Sequence, residues 1–448
     1  MLRRRHFAQA QVARETKRRQ EKDEIDRSGR DTRRRVHLGV ETRRLTTLTE
    51  VVDQKHASVF RSLKYFNARL FFVGLLLSNI GTWLQLTASS LLIYRLTGNA
   101  ADLGYNVAFQ FLPMLLLGTW CGALADRHNR RRIALISQAL LAVQALLLGV
   151  LDLSGVINVS MVYALSLLLG IIGAFDNPAR RGLVTELVPQ EDLPNAMSLN
   201  TAVMTGSRIF GAAIATALIG PLGTGWLFIL NGLSYAAMIY GLTGLRKAEM
   251  YPATVRPAGG SPVREVFSYV AGNRRLLTMF LVYVVVSTFS FNFGVALPKL
   301  ADLNWGDDRA FGWSMSVIGI GNLIGALLTA RQRVVSLRWF VGNIALLGVA
   351  SIGMAFATNY WIAFLWSVPL GIGGAAMIAA GNAISQQESP PDMRGRLLAL
   401  TAVAFLGSTP IGGPITGLIA DMFSPEWSLA YGGVIALVCA VVAALAWR

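Results

Sequence analysis

The residues best suited to chemistry in this chain stand in one short run, Gly122-Ala-Leu-Ala-Asp126-Arg127-His128-Asn129-Arg130-Arg131-Arg132. One carboxylate and four arginines occupy eleven positions between two long apolar stretches. Charge beside hydrocarbon is costly unless it sits at the water interface. There Asp126 can accept hydrogen bonds from the free N–H groups that open a facing helix, or pair with an arginine. The arginines either join that contact or do no more than fix the topology. Gly118 and Gly122, one turn apart, let a neighbouring helix come close. Asn129 suits a left-handed turn.

Arg208 lies about twelve residues into another apolar run, about 18 Å deep at 1.5 Å per residue. A guanidinium at that depth needs a cavity or a partner. It reads as an anion- or carbonyl-binding group, as the charge partner of a coupling carboxylate, or as a structural hydrogen-bonding residue. Asp176 stands near the end of a further run, with Arg180 one helical turn on. It reads equally as a group that titrates during a cycle or as a gate-lining ion pair, and Pro178 between them predicts a kink or a helix end. Asn79, Thr82 and Gln85 recur at spacing three and share a helix face. That face lines a cavity or bonds to other helices, and Gln110, Asn292 and Asn382 are candidates of the same kind.

Several classes fall away at once. Cys121 and Cys439 both lie in apolar segments and read as small packing residues. No His/Cys/carboxylate cluster has metal-ligand spacing. No Ser/His/Asp pattern, phosphate loop or dinucleotide fingerprint occurs, so neither an enzyme nor a bound cofactor is expected.

The elements that must position these residues follow from composition. Of 448 residues 53% are hydrophobic and 15% charged, against roughly 25% charged in soluble chains. Apolar blocks long enough to cross about 30 Å of hydrocarbon recur throughout. Twelve are expected, near 70–94, 103–125, 133–152, 157–178, 196–219, 224–245, 276–298, 310–331, 339–357, 360–383, 397–420 and 427–447. Residues 1–64 are polar, so the first span itself is expected to act as targeting signal. Residues 246–275, with Pro252, Pro257, Gly259, Gly260 and Pro262, read as a linker. Beyond the tail, nineteen Lys/Arg fall on the side of the Gly122–Arg132 loop and three, Arg95, Lys299 and Arg309, on the other. The positive-inside rule then puts the loop and both termini in the cytoplasm.

Weak internal repetition relates span n to span n+6: Gly118-x-x-x-Gly122-Ala-Leu falls on Gly321-x-x-x-Gly325-Ala-Leu, and Thr201-Ala-Val on Thr401-Ala-Val. Two parallel six-helix halves would give this pattern. Twelve spans with Gly-x-Leu-Ala-Asp-Arg-x-x-Arg-Arg between the second and third resemble the major facilitator superfamily over roughly residues 65–448. A finer resemblance, to the exporter branch of enterobactin exporters and macrolide efflux pumps, rests on three stretches. These are Asp176-Asn-Pro-Ala-Arg180, Leu187-Val-Pro-Gln-Glu-Asp-Leu-Pro-Asn-Ala196 and Ser207-Arg208-Ile-Phe-Gly211, with Pro391-Asp-Met-Arg-Gly-Arg396 as second-half counterpart.

The resemblance implies an all-α membrane protein of twelve helices in two pseudo-symmetric halves, 65–245 and 276–448. It implies that Gly122, Asp126, Arg127, Asn129, Arg130 and Arg131 form a gating loop that holds the outward-open state against span 11. Asn129 departs from the usual glycine, and Thr329 stands where a second-half aspartate would align. The expected function is export of a small amphipathic, drug or siderophore-like molecule across the plasma membrane by alternating access, with proton antiport implied by resemblance. Substrate or coupling residues are sought among Arg208, Asp176, Asn79, Thr82, Gln85 and Asn292. Rival readings are a facilitator or importer of a small polar solute, and a non-transporting sensor or scaffold. The tail carries 18 Lys/Arg and 9 Asp/Glu and reads as a solvated segment against anionic lipid headgroups. A start site downstream of it comes second, and nucleic acid a distant third because aromatics for stacking are nearly absent.

Overall fold

The computed structural model describes residues 60–251, 263–307, 309–332, 334–390, 393–407 and 409–447. The tail with its lipid and nucleic-acid readings, and residues 252–262 of the linker, lie outside this set.

In hydrocarbon each backbone N–H and C=O must be satisfied within its own segment, which makes apolar runs helical. Eleven helical segments among the described residues are long and apolar enough to cross a membrane. One of them, Leu193–Thr243, holds two spans, because Pro221 interrupts the ladder and Gly223 takes φ 76° and ψ 173°. Twelve spans result. Spans 1–4 are Phe66–Thr97, Ala100–Arg127, Arg130–Leu153 and Val159–Val184. Spans 5 and 6 meet at the Gly223 break, and span 7 is Arg274–Ser290 continued by Phe293–Trp305. Spans 8–10 are Ala310–Ala330, Leu337–Ala355 and Tyr360–Gln387. Span 11 is Arg394–Leu406 continued by Thr409–Met422, and span 12 is Pro425–Ala446. The Gly122–Arg132 end of the bundle is termed the basic end, and the other the far end.

Two local expectations are corrected. Pro178 neither kinks span 4 to a stop nor ends it; the helix runs six residues further, to Val184. Asn129 is not left-handed: with φ −66° and ψ 103° it is an N-cap, its side-chain oxygen accepting from the Arg132 N–H. The first turn of span 3 has free N–H groups, and an asparagine oxygen satisfies one of them.

Span 1 packs along spans 5 and 6, span 3 against span 6 and span 2 against span 4; span 10 similarly packs on spans 8 and 9, and span 9 on span 12. Span 2 also runs beside span 11, and span 5 beside span 8, joining the halves. Glycines set the closest approaches. A Cβ at Gly211 would lie 2.5 Å from Trp83 Cβ and 2.7 Å from the Ile80 carbonyl oxygen. Gly211→Val should therefore wedge spans 1 and 5 apart, with a loss of about 1–3 kcal/mol. Thermal unfolding of the purified protein in detergent measures it, and an unchanged midpoint would refute this packing.

Candidate functional site

The polar residues of span 1 face other helices. Ser78 Oγ donates to Gln138 Oε1 of span 3 at 3.2 Å. Gln138 Nε2 donates to Asp176 Oδ1 of span 4 at 3.0 Å. Thr82 Oγ1 lies 3.2 Å from Tyr235 OH of span 6 and donates to the Ser78 carbonyl at 2.9 Å. Asn231 Nδ2 donates to Tyr235 OH at 3.4 Å and to Gln85 Oε1 at 2.6 Å. Gln85 Nε2 in turn donates to Gln144 Oε1 of span 3 at 3.2 Å. One hydrogen-bonded chain thus ties spans 1, 3, 4 and 6 together. Inside hydrocarbon such groups rigidify what they join, because breaking them leaves unpaired dipoles.

Of the two readings of this face, Gln85 and Asn79 fit the bonding one. Gln85 is 2% exposed and Asn79 5%, and Asn79 Nδ2 donates to Met204 Sδ at 3.1 Å. Asn292 is also buried. It sits at the break in span 7 and returns its amide to the Thr288 carbonyl at 2.7 Å, satisfying a backbone group freed there.

Asp176 is 1% exposed. Arg180 Nε donates to its Oδ2 at 2.5 Å, as the one-turn spacing predicts, and Gln138 takes the other oxygen. Removing one member of such a pair strands the other's charge. Arg180→Ala is expected to cost about 3–5 kcal/mol, and the double change Asp176→Asn/Arg180→Ala to recover most of it. A double-mutant cycle on thermal unfolding tests this; a double mutant no better than the single would count against the pair.

The basic loop is braced within the first half. Arg130 Nη1 donates to Glu186 Oε1 at 3.1 Å and to the Gly182 carbonyl at 3.3 Å. Burial raises the Glu186 carboxyl above its ordinary range, while the charge and hydrogen bond of Arg130 oppose that. Arg131 Nη2 donates to the Thr243 carbonyl at 2.7 Å, tying span 3 to the end of span 6. Arg127 is exposed, and among the described residues nothing lies within 4 Å of where a Gly122 Cβ would stand. The side chain of Asp126 lies outside the described set. A brace missed by the sequence analysis lies nearby: Asp192 accepts from Tyr65 OH at 2.7 Å and pairs with Lys64 at 3.0 Å. Its only signal was its place in the Leu187–Ala196 stretch.

Arg208 differs from all of these. Among the described residues it has no hydrogen-bond or ion-pair partner; its guanidinium carbon lies 4.5 Å from the centroid of the Trp83 ring. Span 5 shows why. Phe210 and Ile214 are exposed on one side, the lipid side. On the opposite side Thr201, Met204, Thr205, Arg208, Ala212, Ala215 and Ile219 follow one another at helical spacing. From the basic end to Arg208 this inner face is exposed or half-buried; from Ala212 to Ile219 it is buried. The inner face of span 5 is thus open from the basic end as far as Arg208 and packed beyond it.

The far end is closed by contacts between halves. Tyr94 OH donates to Asp302 Oδ2 at 2.8 Å. Gly104 leaves room for Gly413, whose carbonyl oxygen would lie 2.5 Å from an added Cβ, and Gly312 makes room for Thr216. The seam reaches mid-membrane where Ile209 fills the space at Gly319.

Residues 57–448 match the family of transmembrane secretion effectors in the major facilitator superfamily. The chain belongs to that family. The chain's curated relatives include siderophore and drug transporters. It is 22% identical to the staphyloferrin A transporter of Staphylococcus aureus over 79% of this chain and 90% of that one. It is 25% identical to the multidrug efflux pump Tap of Mycolicibacterium fortuitum over 79% and 88%. Among solved structures the nucleoside transporter NupG superposes with a TM-score of 0.69 at 13% identity, over 85% of this chain and all of NupG.

Proposed function

We propose that this transporter exports a small amphipathic molecule, drug-like or siderophore-like, across the plasma membrane by alternating access. The two halves, 65–245 and 276–448, rock about a midplane site. The basic end and both termini lie in the cytoplasm, as the distribution of Lys and Arg requires. One observation carries the reading: Arg208 lies over the Trp83 ring with no ion-pair or hydrogen-bond partner among the described residues, where the open inner face of span 5 gives way to packing. A charge left without a counter-ion at that depth needs a ligand or water to repay its desolvation. The guanidinium fork suits a carboxylate, phenolate or carbonyl oxygen, and the Trp83 ring suits the apolar part of the same molecule. The names of the two relatives, a siderophore transporter and a multidrug pump, support the same class.

Coupling is assigned to proton antiport through Asp176, the buried carboxylate at the start of the first half's hydrogen-bond chain. Both of its oxygens are held, one by Arg180 and the other by Gln138. Protonation would release Arg180 and one end of that chain.

Arg208→Ala is expected to abolish efflux while leaving the protein level intact. Uptake into inverted vesicles of a panel of siderophores, macrolides and lipophilic cations, with and without a proton gradient, reads it out. Wild-type flux from the variant would leave the sensor or scaffold reading standing. Depletion rather than accumulation of the solute in cells lacking the protein would turn exporter into importer.

A further inference from the structure

Span 2 starts at the far end without a cap of its own. Asn99 stands at the N-cap position, yet its side chain caps nothing and donates instead to Asp102 at 3.4 Å. The first free N–H groups of the span are taken by the other half of the molecule. Ala100 N–H donates to Asp421 Oδ1 at 2.9 Å and Ala101 N–H to Asp421 Oδ2 at 2.8 Å. Lys299 of span 7 donates its ammonium to Oδ1 at 2.6 Å. Both side chains of that ion pair are largely buried, at 15% and 20% exposure, so solvent screens the contact little. The carboxylate thus meets a helix N-terminus, with its partial positive charge, and an ammonium together.

Asp421 ends a pattern that occurs twice. Span 11 reads Gly413-Pro-Ile-Thr-Gly417-Leu-Ile-Ala-Asp421, and span 2 reads Gly118-Thr-Trp-Cys-Gly122-Ala-Leu-Ala-Asp126. Two glycines one turn apart lead, in each, to an aspartate at the helix end. The copies lie at opposite ends of the bundle, since spans 2 and 11 run in opposite directions. Their glycines are in opposite conditions. Gly413 packs against Gly104, and Gly417 meets the Ala100 carbonyl, so backbone touches backbone. At the basic end, among the described residues, nothing lies within reach of Gly122, and Gly118 meets Met114 of its own span at 4.0 Å. The residue at the N-cap position of span 11, Met393, makes no side-chain cap bond of its own.

We infer that Asp421 is a positioning residue of the transport cycle. Its carboxylate locks the far end shut by capping span 2 across the halves with Lys299, and it must let go before that end can open. The glycine pattern supplies the close approach that brings the carboxylate within reach of the N–H groups. The inference does not depend on which molecule is transported.

Labelling from both sides tests it in the full chain with Cys121→Ser and Cys439→Ala. Leu103→Cys, sealed in the core that joins the halves at the far end, reports that end. Thr201→Cys, exposed on the inner face of span 5, reports that face. An impermeant maleimide is applied to intact cells and to inverted vesicles. Asp421→Asn should raise labelling of the far-end site and lower that of the inner-face site, each by roughly tenfold, as the loss of a buried charge contact implies. Asp421→Glu should keep most of the parent pattern, and Lys299→Gln, which removes one contact of three, should shift it part-way. No change in either site, or a rise in both together as from loosened structure, overturns the lock. Should Asp421→Asn fail to fold, Lys299→Gln decides by the same criterion. A mirror-image pattern between cells and vesicles would overturn the proposed orientation and leave the lock standing.

Discussion

Hydrocarbon offers no water to a polar group, and the arrangement of this protein follows from how each such group finds a partner. Within the first half the solution is internal: Asp176, Gln138, Ser78, Thr82, Tyr235, Asn231, Gln85 and Gln144 satisfy one another across four spans. Sliding any of those spans alone would expose several dipoles at once, so the half behaves as a unit. Between the halves the contacts are of another kind. Glycines let backbones touch at the far end, and a few side chains cross the seam. Such a surface can part without stranding polar groups in lipid, provided the freed groups meet water. The motion is thereby confined to the interface between halves.

Arg208 is the exception. Its neighbours in span 5 bury themselves against span 1 and span 8, while it lies over Trp83 with no ion-pair or hydrogen-bond partner among the described residues. A charge so far into a span is tolerated where water or a solute can reach it. The inner face is exposed on its basic side and buried beyond it, which is why the proposed site is centred on this residue.

Helix ends extend the same logic to gating. The opening N–H groups of a helix need acceptors. Span 3 finds its acceptor in its own sequence, Asn129, and can keep it through any motion of the halves. Span 2 finds its acceptor in Asp421 of the other half. A helix capped from within is indifferent to the interface, whereas one capped from across it is tied to whether the interface is closed.

The sequence by itself determined what depends on local pattern. Twelve apolar runs of membrane length, with a break between 219 and 224, the place of Arg208 well inside a run and the one-turn pair Asp176–Arg180 all follow from hydropathy, spacing and rise per residue. The tertiary structure alone decided which way each helix faces. Lipid and helix core are equally apolar, so an apolar span carries little signal for its orientation about its own axis. The sequence therefore left Asn79, Gln85 and Asn292 open between lining a cavity and bonding to other helices, where the structure buries all three in bonds, and Arg130 turned to Glu186 within its own half. Asp421 shows the limit most plainly: in the sequence it is one more charge at a helix end, and only packing brings it to the start of a helix 321 residues away.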